Sequence, residues 1–240
     1  MFFYKRPLYD KNQHTMENIP FYIFFVFGLT TAGGGFLFYK ATNYSKAFLI
    51  VALCWLAFQS FLSLSGFYLI TDAFPPRFPL LVMPTIILML FLFCTEKGKT
   101  FIDSLDIKRL TLFSIIRIPV EFVLFWLFAY KAVPEIMTFE GRNFDILSGI
   151  SAPIVYYFAF VSQNLNRKLL LAWNFICLGL LLNVVVNALL SVPGTLQQFA
   201  FDQPNVAILY FPFALLPSFL VPLVLFSHLA SIRQIFIEKN

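Results

Sequence analysis

The segment Arg117-Ile118-Pro119-Val120-Glu121 places a guanidinium and a carboxylate four residues apart inside the apolar run from Leu110 to Val133. Four-residue spacing puts two side chains on one helical face, where they can meet. Pro119 offers no N–H to the carbonyl of Ile115, so a helix here is expected to bend beside the pair and expose a backbone acceptor. At ~1.5 Å per residue from Leu110, Arg117 lies about 10 Å and Glu121 about 17 Å along the helix, the latter near the middle of a bilayer. Ionisable groups at such depth are costly and face a bundle interior or a water-filled cavity, which makes them candidates for function. The chemistry that fits is charge switching, in which the pair neutralises itself or opens to hold a polar solute. The plainer role is a neutral pair that locks helix packing.

Other polar groups recur within apolar sequence. Gly179, Asn183, Asn187 and Ser191 stand at four-residue intervals and predict a small, polar stripe, with Gln59 and Ser63 as a weaker one. Amides so placed offer neutral hydrogen bonds to a ligand, or join helix to helix. Pro212, Pro217 and Pro222 free the carbonyls of Ile208, Phe213 and Ser218, which predicts an irregular helix with Pro217 at its centre, either a gate or a bent packing element. His228 follows near the end of that run, where a histidine can relay protons or simply pack at the interface. Glu140, Arg142 and Asp145, flanked by Asp72 and Arg77, are expected to form a charged outer rim, while Asp145 or Asn143 also suits the cap of the following helix.

The elements that must position these groups follow from composition. In a chain of 240 residues, 60% are hydrophobic and 12% charged, against a usual charged fraction of about 25%. The mean hydropathy is +0.81. One soluble core of that size cannot hide so much apolar surface, so the fold class is all-α: a polytopic transmembrane helical bundle forming a single integral membrane domain. With about 20 apolar residues needed per crossing, seven spans are expected near residues 20–39, 47–70, 78–94, 110–133, 144–162, 169–191 and 207–230. The stretch Thr95 to Arg109 aligns Phe101, Ile102 and Leu105, which suggests a short helix lying on the membrane surface. Thr30-Thr31-Ala32 has the small residues of a signal-cleavage site, but apolar sequence resumes at Phe36 after Gly33-Gly34-Gly35, which favours a retained first helix with a thin waist.

Lys40, Lys46, Lys97, Lys99, Lys108, Arg109, Arg167, Lys168, Arg233 and Lys239 fall on one side of these spans, against Lys5, Arg6, Lys11, Arg77, Lys131 and Arg142 on the other. The richer side is expected in the cytoplasm and the N-terminus outside. The formal net charge of +5 then reflects topology, and no aromatic-interleaved basic patch points to nucleic acid. Cys54, Cys94 and Cys177 lack paired spacing and read as reduced packing residues, and with His14 and His228 the only histidines, neither a metal nor another cofactor is expected.

Phe78-Pro79 and Phe211-Pro212 each begin a pattern of Phe-Pro, four apolar residues, Pro and a hydroxyl residue. Together with the short connectors Lys40 to Lys46 and Ser162 to Lys168, this suggests two parallel three-helix units joined by the fourth span. The plan is similar to the three-one-three arrangement of SWEET and PQ-loop transporters, which also place the N-terminus outside, although no Pro-Gln signature occurs at Pro79 or Pro84. Motifs for zinc hydrolysis, serine nucleophiles, nucleotide loops and a retinal-bearing lysine are missing. Binding or passage of a small polar solute between the helices is therefore the first expectation. A membrane-embedded enzyme acting on a lipid-like substrate, using Glu140, Arg142 and Asp145, and a non-catalytic sensor or partner subunit are the alternatives.

Overall fold

The computed structural model describes residues 16–71, 73 and 76–237. Asp72 of the expected rim, together with Lys5, Arg6, Lys11, His14 and Lys239, lies outside the described residues. The fold is all-α. Its helices are α1 (Phe21–Ala41), α2 (Lys46–Leu64), α3 (Pro79–Cys94), α4 (Glu96–Asp103), α5 (Ile107–Phe113), α6 (Arg117–Ala129), α7 (Ile146–Tyr156), α8 (Arg167–Ser191) and α9 (Val221–Ile237). Local chemistry marks several starts. The Ser45 hydroxyl accepts from the Phe48 N–H, Asp106 accepts from the N–H groups of Lys108 and Arg109, and Asn166 accepts from that of Lys168.

Among the described residues, five stretches are long and apolar enough to cross a bilayer: Phe21–Ala41, Lys46–Leu64, Ile107–Ala129, Arg167–Ser191 and Leu216–Ile237. α3 and α4 add a sixth if taken as one broken span, bent by 94°. That bend turns the charged stretch after Cys94 across the end of the bundle, the direction a surface-lying helix would take. The expected span at 144–162 appears as Ile146–Val161, a shorter apolar helix. Outward positions are apolar, as in Phe21, Phe61 and Phe91, whereas the interior holds Arg117, Glu121, Asp145 and His228. Such an inverted distribution suits hydrocarbon surroundings, and the chain is a multi-pass membrane protein.

Contacts sort the connectors into two ends. The Asp106 N–H donates to the Ala41 carbonyl at 2.9 Å, the Asn43 amide donates to the Ser104 carbonyl, and Arg233 grips Asp103. The lysine- and arginine-rich connectors thus gather at one end. At the other, the Val206 N–H reaches the Ala132 carbonyl and Gln203 donates to the carbonyls of Phe128 and Val133.

The proline-bearing runs do not match each other locally. From Pro79 the first is α-helical through Pro84, whereas the second passes through turns at 211–214 and widens into a π turn at Leu216–Leu220. At the expected waist, a Cβ on Gly34 would come within 2.8 Å of Leu220 Cδ2, but Gly33 has open space around its Cα. Only one of the three glycines is therefore a close-packing position.

Before Pro119 the helix tightens into a 3-10 turn at Ser114–Ile116 and restarts as α6 at Arg117. Pro119 accordingly sits in the first turn of α6, where a missing N–H costs little.

Candidate functional site

The connector after α6 determines the site. Residues 135–145 fold back into the bundle, so α7 begins deep inside it. The Asn143 side chain acts as the anchor: its amide donates to Glu121 Oε1 at 2.6 Å and to the Met137 carbonyl at 3.0 Å, while its oxygen accepts from the Asp145 N–H at 3.0 Å. Glu121 lies eight residues before the end of α6, about 12 Å along the helix, so the connector descends roughly that far. Asp145 is 5% exposed and Asn143 fully buried, whereas Glu140 and Arg142 remain exposed.

This placement corrects two expectations. Asp145 does not belong to an outer rim with Glu140 and Arg142; it lies in the interior as the partner of Arg117, whose Nη1 donates to Asp145 Oδ1 at 2.7 Å. Arg117 and Glu121 do not form the pair that their spacing suggests. An arginine preceding a glutamate by four is the less favourable helical order, and the infolded connector offers each a better partner. Gly149 makes the approach of α7 feasible, since a Cβ there would come within 2.8 Å of Ile118 Cγ1 and 3.1 Å of the Ile118 nitrogen.

His228 is 1% exposed, so it is not interfacial. Arg117 Nη2 lies 2.8 Å from its Nε2, and Asn174 Oδ1 lies 2.9 Å from its Nδ1. Because a guanidinium can only donate, Nε2 must accept, which fixes a neutral ring with the proton on Nδ1, donated to Asn174. Asn174 is held in turn by its own amide donating to the Leu170 carbonyl at 2.9 Å. Trp173 stacks edge-on against the imidazole and donates its indole N–H to the Ser151 hydroxyl, tying α7 to α8. The guanidinium thus joins α6, α7, α8 and α9 in one network.

Two atoms in this network lack a partner. Arg117 Nε and Glu121 Oε2 are buried and unpaired among the described residues, one a donor and the other an acceptor, one helical turn apart on α6. Buried polar atoms are normally satisfied, because leaving one unpaired costs about 1–3 kcal/mol and more for a charged group.

The remaining sequence candidates fall elsewhere. Gln59 is buried but accepts from the Tyr68 hydroxyl at 2.6 Å and donates weakly to the Leu80 carbonyl, between α2 and α3. Burial pushes the Tyr68 phenol up to about 12, although the Gln59 hydrogen bond pulls the other way. Asn183 donates to the Arg142 carbonyl at 2.8 Å, and Asn187 donates to Asn183 at 3.4 Å. The first bond ties α8 to the infolded connector, and the second lies within α8. The four-residue stripe of these amides drifts about 40° per step around a helix of ~3.6 residues per turn, which leaves Asn183 exposed. The buried face of α8 runs through Leu170, Asn174, Cys177, Leu181 and Val184 and takes in Asn187 and Ser191, but not Gly179 or Asn183. Pro217 lies within the π turn and is partly exposed. Glu140 and Arg142 are exposed whereas Asp145 is buried, so the three do not share one environment.

A family model, described as a domain of unknown function (DUF8737), matches residues 75–236 and so covers more than half of the chain. The chain belongs to the DUF8737 family. No curated protein matches it, and neither does any solved structure. The DUF8737 match includes Arg117, Glu121, Asn143, Asp145, Asn174 and His228, whereas Gln59 lies outside it.

Proposed function

We propose that this DUF8737 chain binds a small polar solute at the buried network around Arg117 and Glu121. The observation that carries the reading is the unpaired couple, Arg117 Nε and Glu121 Oε2, which presents one donor and one acceptor on a single helical turn. A solute with an acceptor at one end and a donor at the other satisfies both, and a zwitterion does so with charge complementarity. An anionic solute group also competes with Asp145 for the guanidinium, which couples binding to the infolded connector. Release of Asp145 and Asn143 from α6 opens the site toward the end that carries Ala132 and Gln203. In this reading the basic end faces the cytoplasm, so entry is from outside.

The test is thermal unfolding of the protein in lipid nanodiscs with single-carboxylate zwitterions, glycine and alanine first. At a hundred times its dissociation constant, a ligand that binds only the folded state adds about 2.7 kcal/mol. A raised Tm in wild type that disappears in both Arg117→Met and Glu121→Gln supports the proposal. No shift with any zwitterion, or an equal shift in the variants, contradicts it. Uptake into proteoliposomes with the same variants separates binding from passage: wild-type uptake rates in both variants remove these residues from a transport mechanism.

A further inference from the structure

α2 stands apart from the bundle. Only 17% of its apolar window is buried, the smallest share of the five long spans. It is tethered at mid-length by the Trp55 indole, which donates to the Ser218 carbonyl at 2.8 Å, the carbonyl that Pro222 leaves without its helical donor. Beside this tether lies a cavity of about 470 Å³, walled by Ala52 and Trp55 of α2, Met89 of α3, Phe101 of α4, and Phe219 and Phe226 of the last span. Its size falls within the roughly 300–1,000 Å³ of ligand pockets. The slot is open on its outer side, where Ile50, Val51 and Leu88 of its lining are exposed, so in a bilayer it does not stay empty. The wall is apolar almost throughout, and its indole N–H is already used by Ser218, so the filler must be hydrocarbon.

Charge at one end of the cavity specifies more. Phe48 and Phe101 line that end, and Lys46 lies two residues before Phe48, while Lys97 lies one helical turn before Phe101. The carboxylates nearby are already engaged: Glu96 by Lys99, Asp106 by Arg109 and Asp103 by Arg233. Lys46, Lys97 and Lys108 stay exposed with no carboxylate partner among the described residues. An apolar slot beneath uncompensated cations is complementary to an acyl chain beneath an anionic headgroup.

We infer that the cavity between α2 and the rest of the bundle is a binding site for one anionic phospholipid, with an acyl chain along Ala52, Trp55 and Met89 and its phosphate near Lys46 and Lys97. The site is separate from the Arg117 network and does not depend on the reading of that network.

Quenching of Trp55 by phospholipids with brominated acyl chains tests this, in a chain whose other tryptophans are replaced (Trp126→Phe, Trp173→Phe). In vesicles of phosphatidylcholine, brominated phosphatidylglycerol should quench Trp55 saturably at low mole fraction, with at least about tenfold preference over brominated phosphatidylcholine. Ala52→Phe, which fills the slot, should leave only the linear quenching expected of bulk lipid. Lys46→Gln with Lys97→Gln, both exposed and compatible with folding, should keep saturable quenching but remove most of the headgroup preference. Linear quenching in wild type, or saturable quenching that is equal for the two headgroups, overturns the proposal. So does a headgroup preference undiminished in the double lysine variant.

Discussion

Removing Asp145 should damage the protein far more than removing a surface carboxylate, and the damage should be repairable from the other side of the pair. Arg117 is 2% exposed and Asp145 5%, with 2.7 Å between Nη1 and Oδ1. Breaking a buried pair by deleting one partner strands a charge and costs about 3–5 kcal/mol, whereas replacing both partners by apolar groups is often neutral or better. At about 2–4 °C per kcal/mol for a chain of this size, Asp145→Ala should lower Tm by roughly 6–20 °C. Arg117→Met combined with Asp145→Leu should recover most of that loss. The assay is thermal unfolding in nanodiscs followed by tryptophan fluorescence, with Arg117→Met, Glu121→Ala and their combination as a second cycle. Coupling should be large in the Arg117–Asp145 cycle and small in the Arg117–Glu121 cycle. A loss below about 2 °C for Asp145→Ala, or stronger coupling to Glu121 than to Asp145, would refute the pairing.

Three further outcomes follow from the packing and electrostatics. Gly149→Ala should destabilise by about 1–3 kcal/mol in the same unfolding assay, because its Cβ would meet Ile118, whereas Gly28→Ala, with open space around it, should not. Burial pushes the Tyr68 phenol up to about 12, so its share of stability is complete below the ordinary phenol value near 10 and is lost as pH rises toward 12. Unfolding titrated over that alkaline range should be less pH-dependent in Tyr68→Phe. A green fluorescent protein fused after Asn240 should fluoresce in cells if the basic end is cytoplasmic, and a dark fusion at normal expression would reverse the orientation.

How far the sequence spoke for the structure depended on the range of the interaction. Composition and apolar runs sufficed for the helices, because lipid exposure acts on each segment alone: α1, α2, α8 and the stretch from Ile107 to Ala129 all form where hydropathy places them. Arg117 and Glu121 stood out for the same reason, as charges within one such run. Their partners did not. Asp145 carries the local signature of a helix cap, and nothing nearby in sequence reveals that its connector is pulled about 12 Å inward by Asn143 bonding to Glu121 and Met137. His228 lies 111 residues from Arg117 and Asn174 another 54 from His228, so only the folded crossing of α6, α8 and α9 unites them. The spacing of Leu170, Asn174, Cys177, Leu181, Val184, Asn187 and Ser191 follows the true helical period, whereas the four-step stripe starts on the exposed side at Gly179 and Asn183 and reaches the packed face only at Asn187 and Ser191.

A density map of the protein purified from its native membrane, at a resolution that separates water from larger solutes, tests the central claim most directly. Non-protein density larger than a water molecule is expected within hydrogen-bond distance of both Arg117 Nε and Glu121 Oε2. A lone bridging water, or closure of the two atoms onto protein partners, would contradict it.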